Sequence, residues 1–242
     1  MNPPPFAAEQ IAIGWHGKLP TVGDFVTRRL DVEFVSHWDQ WVSRGLTDLR
    51  RHWGSCWLDH YLRSPTWRFL LTPGFMPSPI NKAAWVGVLM PSVDRVGRYY
   101  PLTLAAPLAA VPDRPETQAD LWIWMRRLED VAIDALEGDW SVDALEAGLV
   151  ALGLPPDPSE VARDGFAGLE GGRAAVEMMA SSSMKPFFAA ASREADQLAG
   201  CGRCVWYSVS ANADPRLFVS RSLDDSLAEL WRVDPDNEAC GA

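Results

Sequence analysis

The sequence of 242 residues predicts an α+β fold, with a central, mainly antiparallel sheet flanked by helices. Three apolar runs, at residues 67–73, 83–91 and 100–108, follow one another with turns between them, which is typical of an antiparallel meander. Two long segments, residues 31–53 and 115–137, carry apolar residues at helical spacing. Strands followed by helices, with further strands late in the chain, favour this fold class over an alternating α/β architecture.

The first part of the chain combines a tail, a strand and a turn. Residues 1–9 are rich in proline and are expected to form a flexible tail, whereas residues 10–242 are expected to form a single domain. A short strand is expected at residues 10–15. The sequence GKLPTVGDF then follows, at residues 17–25, and its glycines and proline are typical of a turn.

The helices have recognisable ends. Asp31 is a candidate N-cap for the first long helix, and Gly54 is expected to end it. Pro115 suits the first turn of the second long helix, which we expect to close at Gly138. Ser141 is a candidate cap for a shorter helix after it. The apolar stripe of the first helix consists of Phe34, Trp38, Trp41, Gly45, Leu49 and Trp53.

The last third of the chain is expected to complete the sheet. Residues 153–172 are rich in proline, glycine and acidic residues, so we expect a surface linker there. Residues 186–198 are expected to be helical. Strands are predicted at residues 203–210 and 216–223, joined by the turn sequence ANADP. A closing helix is predicted at residues 224–233.

Composition limits the classes of partner. The formal net charge is −10, from 22 basic and 32 acidic residues, which disfavours a nucleic-acid or anionic-membrane surface. The first ten residues lack the pattern of a signal peptide, and the apolar runs fall short of the roughly 20 residues that span a bilayer. We therefore expect a cytoplasmic protein without direct membrane insertion. The 12 tryptophans indicate a core rich in aromatic side chains.

Familiar catalytic and metal-binding motifs are absent or incomplete. The sequence GWHGKL, at residues 14–19, resembles a phosphate-binding loop, but its glycine spacing is too short and Leu19 replaces the serine or threonine. No Gly-x-Ser-x-Gly nucleophile motif occurs. The four histidines lack metal-ligand spacing, and His52 and His60 are expected to be solvated helix residues. We expect no catalytic residue, no cofactor and no metal.

Cysteine spacing leaves one alternative open. Cys201 and Cys204 have thioredoxin-like spacing, but they precede a predicted strand, whereas a thioredoxin motif follows one. Two incidental thiols are favoured over a redox or zinc role. Without a secretory signal, the four cysteines are expected to be free thiols.

Two charged turns carry the candidate site. They lie within residues 14–26 and 84–106, and each connects apolar segments. Asp24 and Asp94 are favoured as caps of turn backbone, whereas Arg95 and Arg98 form a concentrated basic patch in an acidic protein. The residues expected to bind a partner or to shape the turns are Trp15, His16, Lys18, Asp24, Ser92, Asp94, Arg95 and Arg98. An alternative is a hydrolase cleft built around Asp24, Asp94 and His16.

The same stretches resemble the TagF (ImpM) family of type VI secretion-associated proteins. The resemblance is specific at the Gly-Lys-Leu-Pro-x-x-Gly-Asp-Phe turn of residues 17–25 and at Trp-Asp-x-Trp, residues 38–41. It is also specific at residues 91–101, which read Pro-Ser-x-Asp-x-x-Gly-Arg-x-Tyr-Pro. The strongest similarity covers residues 12–108.

The resemblance implies an α/β sandwich reminiscent of longin or SNARE-like domains. It also implies a cytoplasmic, post-translational repressor of type VI secretion in Gram-negative bacteria. Such a protein is expected to bind a forkhead-associated scaffold protein and, in some members, an inner-membrane component of the apparatus. Phosphatase activity, present in some fused relatives, is not expected, since the chain lacks that domain's acidic metal-binding pattern. A structural accessory subunit of the apparatus remains a further alternative.

Overall fold

A computed structural model describes residues 13–158, 183–192, 202–210, 213–223 and 230–231. The expected tail, linker and closing helix fall wholly or mainly outside these residues, as do Cys201 and the end of the helix expected at residues 186–198. The strands are β1 (Gly14–Gly17), β2 (Val26–Arg28), β3 (Trp67–Leu71), β4 (Ala84–Met90), β5 (Leu102–Leu108), β6 (Cys204–Ser210) and β7 (Ala213–Ser220). The helices are α1 (Val32–Trp53), α2 (Trp57–Arg63), α3 (Pro115–Glu137), α4 (Val142–Leu152) and α5 (residues 183–191).

The strands of the described residues form one seven-stranded sheet in the order β2-β1-β5-β4-β3-β6-β7. Every neighbouring pair is antiparallel, as the meander pattern predicts. The late strands join at the edge of the meander, where Phe69 of β3 lies opposite Trp206 of β6. The α+β class and the antiparallel sheet are therefore confirmed.

Helices cover both faces of the sheet. On one face, α1 and α2 enclose an aromatic core in which Trp38 lies 5.0 Å from Phe69 and 6.0 Å from Trp206, ring centre to ring centre. On the other face, α3, α4 and α5 share a hydrophobic core with Val86 and Val88 of β4. The central strands are thus buried on both sides, which explains why they are apolar without alternation. None of the described helices is long and apolar enough to cross a membrane.

Local capping sets the helix ends at the residues that the sequence indicates. The Asp31 carboxylate accepts hydrogen bonds from the backbone N–H groups of Glu33, at 2.7 Å, and Phe34, at 3.4 Å. Gly54 ends α1 with a φ of 52°, a left-handed conformation that favours glycine. The Ser141 hydroxyl accepts a hydrogen bond from the Ala144 N–H at 3.2 Å at the start of α4.

Four local expectations are wrong. The first described strand extends through His16 to Gly17, because residues 14–17 pair with both β2 and β5. Strand β2 was not expected at all, since three residues are too few to show a pattern. Strand β7 begins at Ala213, inside the segment expected to be a turn. His60 is buried rather than solvated, because its ring stacks on Trp53 with centroids 3.6 Å apart.

The cysteines also differ from one another. Cys204 is a buried free thiol, and burial raises its pKa well above the ordinary value. A thiol in this state is poorly suited to redox chemistry, which requires the thiolate. Cys56 is disulfide-bonded, so the expectation of free thiols is wrong at that position.

The aromatic core under α1 gives a direct stability prediction. Trp38 is fully buried, and its indole N–H donates to the Thr103 hydroxyl at 2.9 Å. Trp38→Ala should lower the free energy of unfolding by about 3–5 kcal/mol, because it leaves a cavity and an unpaired hydroxyl. Urea denaturation measures this. Val32→Ala, at a position that is 80% exposed on the same helix, is the control and should change stability by less than about 0.5 kcal/mol.

Candidate functional site

Two loops that are distant in sequence lie together at one end of the sheet. Strand β1 ends at Gly17 and β4 ends at Met90, and both ends lie beside the start of β5, where His16 is opposite Thr103 and Met90 is opposite Leu102. The loops that follow, residues 18–25 and 91–98, therefore emerge side by side. We call these two segments the paired loops.

Backbone and side-chain hydrogen bonds join the paired loops directly. The Arg95 N–H donates to the Val22 carbonyl at 3.2 Å, and the Ser92 hydroxyl donates to the Lys18 carbonyl at 2.7 Å. The Arg98 guanidinium donates to the Gly23 carbonyl. The two charged turns of the sequence are thus one structural unit.

A buried ion pair between Lys18 and Asp94 lies at the centre of this unit. The Lys18 side chain is 3% exposed and that of Asp94 is not exposed. Asp94 also accepts from the Val96 N–H at 3.0 Å, the Arg98 N–H at 2.9 Å and the Arg98 Nε at 2.7 Å. Burial alone would raise the pKa of Asp94, but the hydrogen bonds from Lys18 and Arg98 outweigh it and hold that pKa well below its usual range.

Glycine is required at two points, one at the end of β1 and one in the second of the paired loops. Gly97 has a φ of 82°, which lets the second loop turn back so that the Gly97 N–H reaches the Asp94 carbonyl at 3.0 Å. Gly17 has a φ of 136°, and a Cβ there would lie 2.2 Å from the Pro101 carbonyl oxygen. Gly17 therefore allows the close approach of β1 to Pro101, whereas Gly97 allows the turn of the second loop.

His16 lies beneath the paired loops, in a polar and aromatic cluster. Its Nδ1 is 2.8 Å from the Thr27 hydroxyl, and its Nε2 is 3.6 Å from the Asp39 carboxylate on α1. The Tyr100 hydroxyl donates to the same carboxylate at 2.8 Å. Asp39 belongs to the Trp-Asp-x-Trp stretch and Tyr100 to residues 91–101. Phe25, from the turn of residues 17–25, packs on His16 and Tyr100, so all three family-like motifs meet here. Burial lowers the pKa of His16, although Asp39 partly opposes the shift.

Five of the eight predicted site residues are buried: Trp15, His16, Lys18, Ser92 and Asp94. Trp15 is fully buried in β1, and its indole N–H donates to the Glu146 carboxylate on α4 at 2.6 Å. Ser92 is buried as well, and both its backbone N–H and its carbonyl bond to the Tyr61 hydroxyl at 2.8 Å. Trp15 therefore offers no surface to a partner, and Ser92 fastens the second loop to α2.

The exposed part of the paired loops is small and mixed in character. It consists of Asp24, Phe25, Arg95, Val96, Gly97 and Arg98. Phe25 is 46% exposed and Val96 is 63% exposed, although both are large apolar residues. Sequence reasoning missed these two residues. The available signal was that each is an apolar residue inside a turn rich in glycine and charge.

The arrangement does not assemble an acid–base set from His16, Asp24 and Asp94. The hydrogen-bonding capacity of Asp94 is taken up by Lys18, Val96 and Arg98. Asp24 is exposed and accepts from the Phe25 N–H at 2.8 Å. His16 bonds to Thr27 and lies near Asp39 instead. Within the described ranges, no group of three or more His, Cys, Asp or Glu side chains is placed to hold a metal ion.

Comparison with known proteins identifies the class of protein. Residues 14–152 match the family model of the TagF N-terminal domain, described as type VI secretion system-associated. That match covers more than half of the chain, so the protein belongs to the TagF family of type VI secretion system-associated proteins.

A solved structure agrees with this assignment of family and fold. The chain is similar to the crystal structure of PA0076 from Pseudomonas aeruginosa PAO1, with 33% sequence identity and a TM-score of 0.62. The similarity covers 87% of this chain and 89% of that one. Comparison with curated proteins finds no match.

The contacts predict different effects on stability for the two arginines of the second loop, Arg95 and Arg98. Arg98→Ala removes the side-chain bonds to Asp94 and to the Gly23 carbonyl, so the melting temperature should fall by a few degrees. Arg95→Ala should leave it nearly unchanged, because only the backbone of Arg95 bonds to the other loop. Differential scanning calorimetry of both variants checks this. Equal melting temperatures for the two variants would contradict the structural role of Arg98 in the paired loops.

The lowered pKa of His16 predicts a pH dependence of stability. The unfolded chain, in which the pKa of histidine is about 6.5, binds a proton more readily than the folded one. Stability is therefore fully present above pH 6.5 and falls as the pH drops below it, by at most about 1.4 kcal/mol per pH unit.

Urea denaturation between pH 7.5 and pH 5 should show this loss in the wild type relative to His16→Gln, which does not titrate. Parallel pH profiles would contradict the prediction. A wild type that gains stability in acid, relative to the variant, would show that attraction between charged His16 and Asp39 outweighs burial.

Proposed function

We propose that this protein is a non-enzymatic, cytoplasmic regulator that represses type VI secretion after translation by binding another protein. The proposed partner is a forkhead-associated scaffold protein, and the proposed surface is the exposed part of the paired loops. One observation carries the proposal. Arg95, Phe25 and Val96 form an exposed surface, and buried polar groups that bond to one another, with the Lys18–Asp94 ion pair at their centre, lie beneath it.

The buried polar groups beneath this surface support a role in binding rather than in catalysis. Lys18, Asp94 and His16 carry the reactive groups of this region, and each is buried and bonded to its neighbours. A general acid or base must reach the substrate and must change its protonation state at working pH. The lowered pKa of Asp94 keeps that carboxylate ionised and bound to Lys18, which suits a structural brace.

The surface has the composition of a small protein-binding patch. Aromatic and arginine side chains contribute most to interface energies, and an anchor that is already ordered loses little entropy on binding. The family adds the context of type VI secretion. An inner-membrane component of the apparatus is a second proposed partner, reached through the same surface.

A pull-down from lysate of the source bacterium tests the proposal. The bait is the wild type, Arg95→Glu or Lys185→Glu, where Lys185 is an exposed lysine on α5 that serves as a control of equal charge change. Mass spectrometry should find the forkhead-associated scaffold enriched by the wild type and the control and lost with Arg95→Glu. Absence of both the scaffold and the inner-membrane component from the wild-type bait would contradict the proposal.

Deletion of the gene separates a regulator from a structural subunit. A repressor predicts that type VI secretion rises when the chain is absent. A subunit of the apparatus predicts that secretion stops, and this outcome would contradict the regulatory role.

A further inference from the structure

We infer that the segment bound by the paired loops is an acidic and apolar protein segment, in which a carboxylate stands beside an aromatic or branched aliphatic side chain. This inference rests on the proposed function and deepens it, since it states the chemistry of the partner. It draws on the bonding state of Arg95, the exposure of Phe25 and Val96, and the local charge.

Arg95 offers a cation that none of the residues described by the structure engages. Its backbone N–H bonds to the Val22 carbonyl, which fixes the start of the side chain. Its exposed guanidinium makes no hydrogen bond or ion pair with any residue that the structure describes. Arg98 differs, because its guanidinium bonds to Asp94 and to the Gly23 carbonyl. Arg95 can therefore take an external carboxylate in bidentate geometry without breaking an internal contact.

Phe25 is an exposed ring on a rigid support. The Lys18 ammonium lies 4.5 Å from its ring centre, and the Tyr100 ring meets it edge-on with centroids 4.7 Å apart. The His16 ring stacks beneath it at 5.9 Å. Three neighbours thus hold the ring while 46% of the residue faces outward. An apolar partner side chain would gain contact area at low entropic cost.

Val96 extends the apolar surface on the neighbouring loop. It is 63% exposed, and its backbone N–H is fixed to the Asp94 carboxylate at 3.0 Å. Lys18 touches both Phe25 and Asp94, so the buried ion pair links the supports of the two exposed apolar residues. A partner segment therefore meets two apolar contacts and one cation in a fixed arrangement.

The local charge selects an acidic partner of limited size. The paired loops contain Lys18, Arg95, Arg98, Asp24 and Asp94, a net charge of +1 in a chain of net charge −10. A single carboxylate is attracted by this spot, whereas a polyanion such as a nucleic acid would be repelled by the rest of the chain. The charge pattern thus orients a short acidic segment on the loops.

Overlapping synthetic peptides that cover the forkhead-associated scaffold provide the probe, and the full chain is the receptor. Bound peptides should contain an acidic residue next to an aromatic or branched aliphatic one. Phe25→Ala and Arg95→Glu should each weaken binding at least about tenfold. The matched controls are Val150→Ala on α4, at a position that is 77% exposed, and Lys185→Glu on α5, and both should bind as the wild type does.

Charge reversal gives the sharpest readout. Arg95→Glu should regain binding when the acidic residue of the peptide is replaced by lysine, whereas the wild type should lose that peptide. Melting curves of all variants show whether each chain is folded, so that loss of binding is not confused with loss of structure.

Each contrary outcome identifies what has failed. Selection of neutral or basic peptides would overturn the inferred chemistry. Binding of the intact scaffold equally by wild type, Phe25→Ala and Arg95→Glu would overturn the surface and leave the proposed partner in place. Failure of wild type to bind the intact scaffold would overturn the proposed function together with this inference. Binding to vesicles of phosphatidylcholine and phosphatidylglycerol that depends on Arg95 would assign the site to lipid instead.

Discussion

The buried ion pair between Lys18 and Asp94 is the interaction on which the arrangement of the paired loops depends. Burying two charges costs free energy, which is offset only when the geometry and the remaining hydrogen bonds are good. Asp94 meets this condition with three further donors from its own loop. Removal of Asp94 would leave Lys18 as an unpaired buried charge and would remove the acceptor that orders the second loop, so both loops depend on this pair.

The sheet explains why this pair can form. The antiparallel arrangement puts the ends of β1 and β4 beside the start of β5. Loops about 70 residues apart in sequence therefore leave the sheet at the same end of its strands. Asp39 of helix α1 lies beside them, and its carboxylate accepts a hydrogen bond from the Tyr100 hydroxyl at 2.8 Å. The three family-like motifs are therefore parts of one structure: two loops and the helix face that supports them.

Much of this fold follows from local chemistry in the sequence. Helices α1 and α4 begin directly after Asp31 and Ser141, because each of these side chains accepts hydrogen bonding from the backbone of the first turn. Apart from Thr103, strands β4 and β5 carry no polar side chain, because helices cover both faces of the sheet. These features depend on neighbouring residues or on repeated patterns, so a sequence can reveal them.

Other features depend on contacts between distant segments, and the sequence does not reveal them. His16 lies in a strand because β2 and β5 pair on either side of it, and His60 is buried because Trp53 covers its ring. Contacts between distant segments also decide which residues of the candidate site are exposed. Trp15 and Phe25 are aromatic residues of the same segment, residues 14–26, yet Trp15 is buried against α4 and Phe25 is exposed.

Hydrogen–deuterium exchange of the full chain, with and without the purified forkhead-associated scaffold, tests the central claim most directly. The account predicts added protection of backbone amides at residues 20–25 and 93–98, with exchange in α4 unchanged. Protection confined to another surface, with the paired loops exchanging as in the free protein, would contradict the claim that these loops bind the partner.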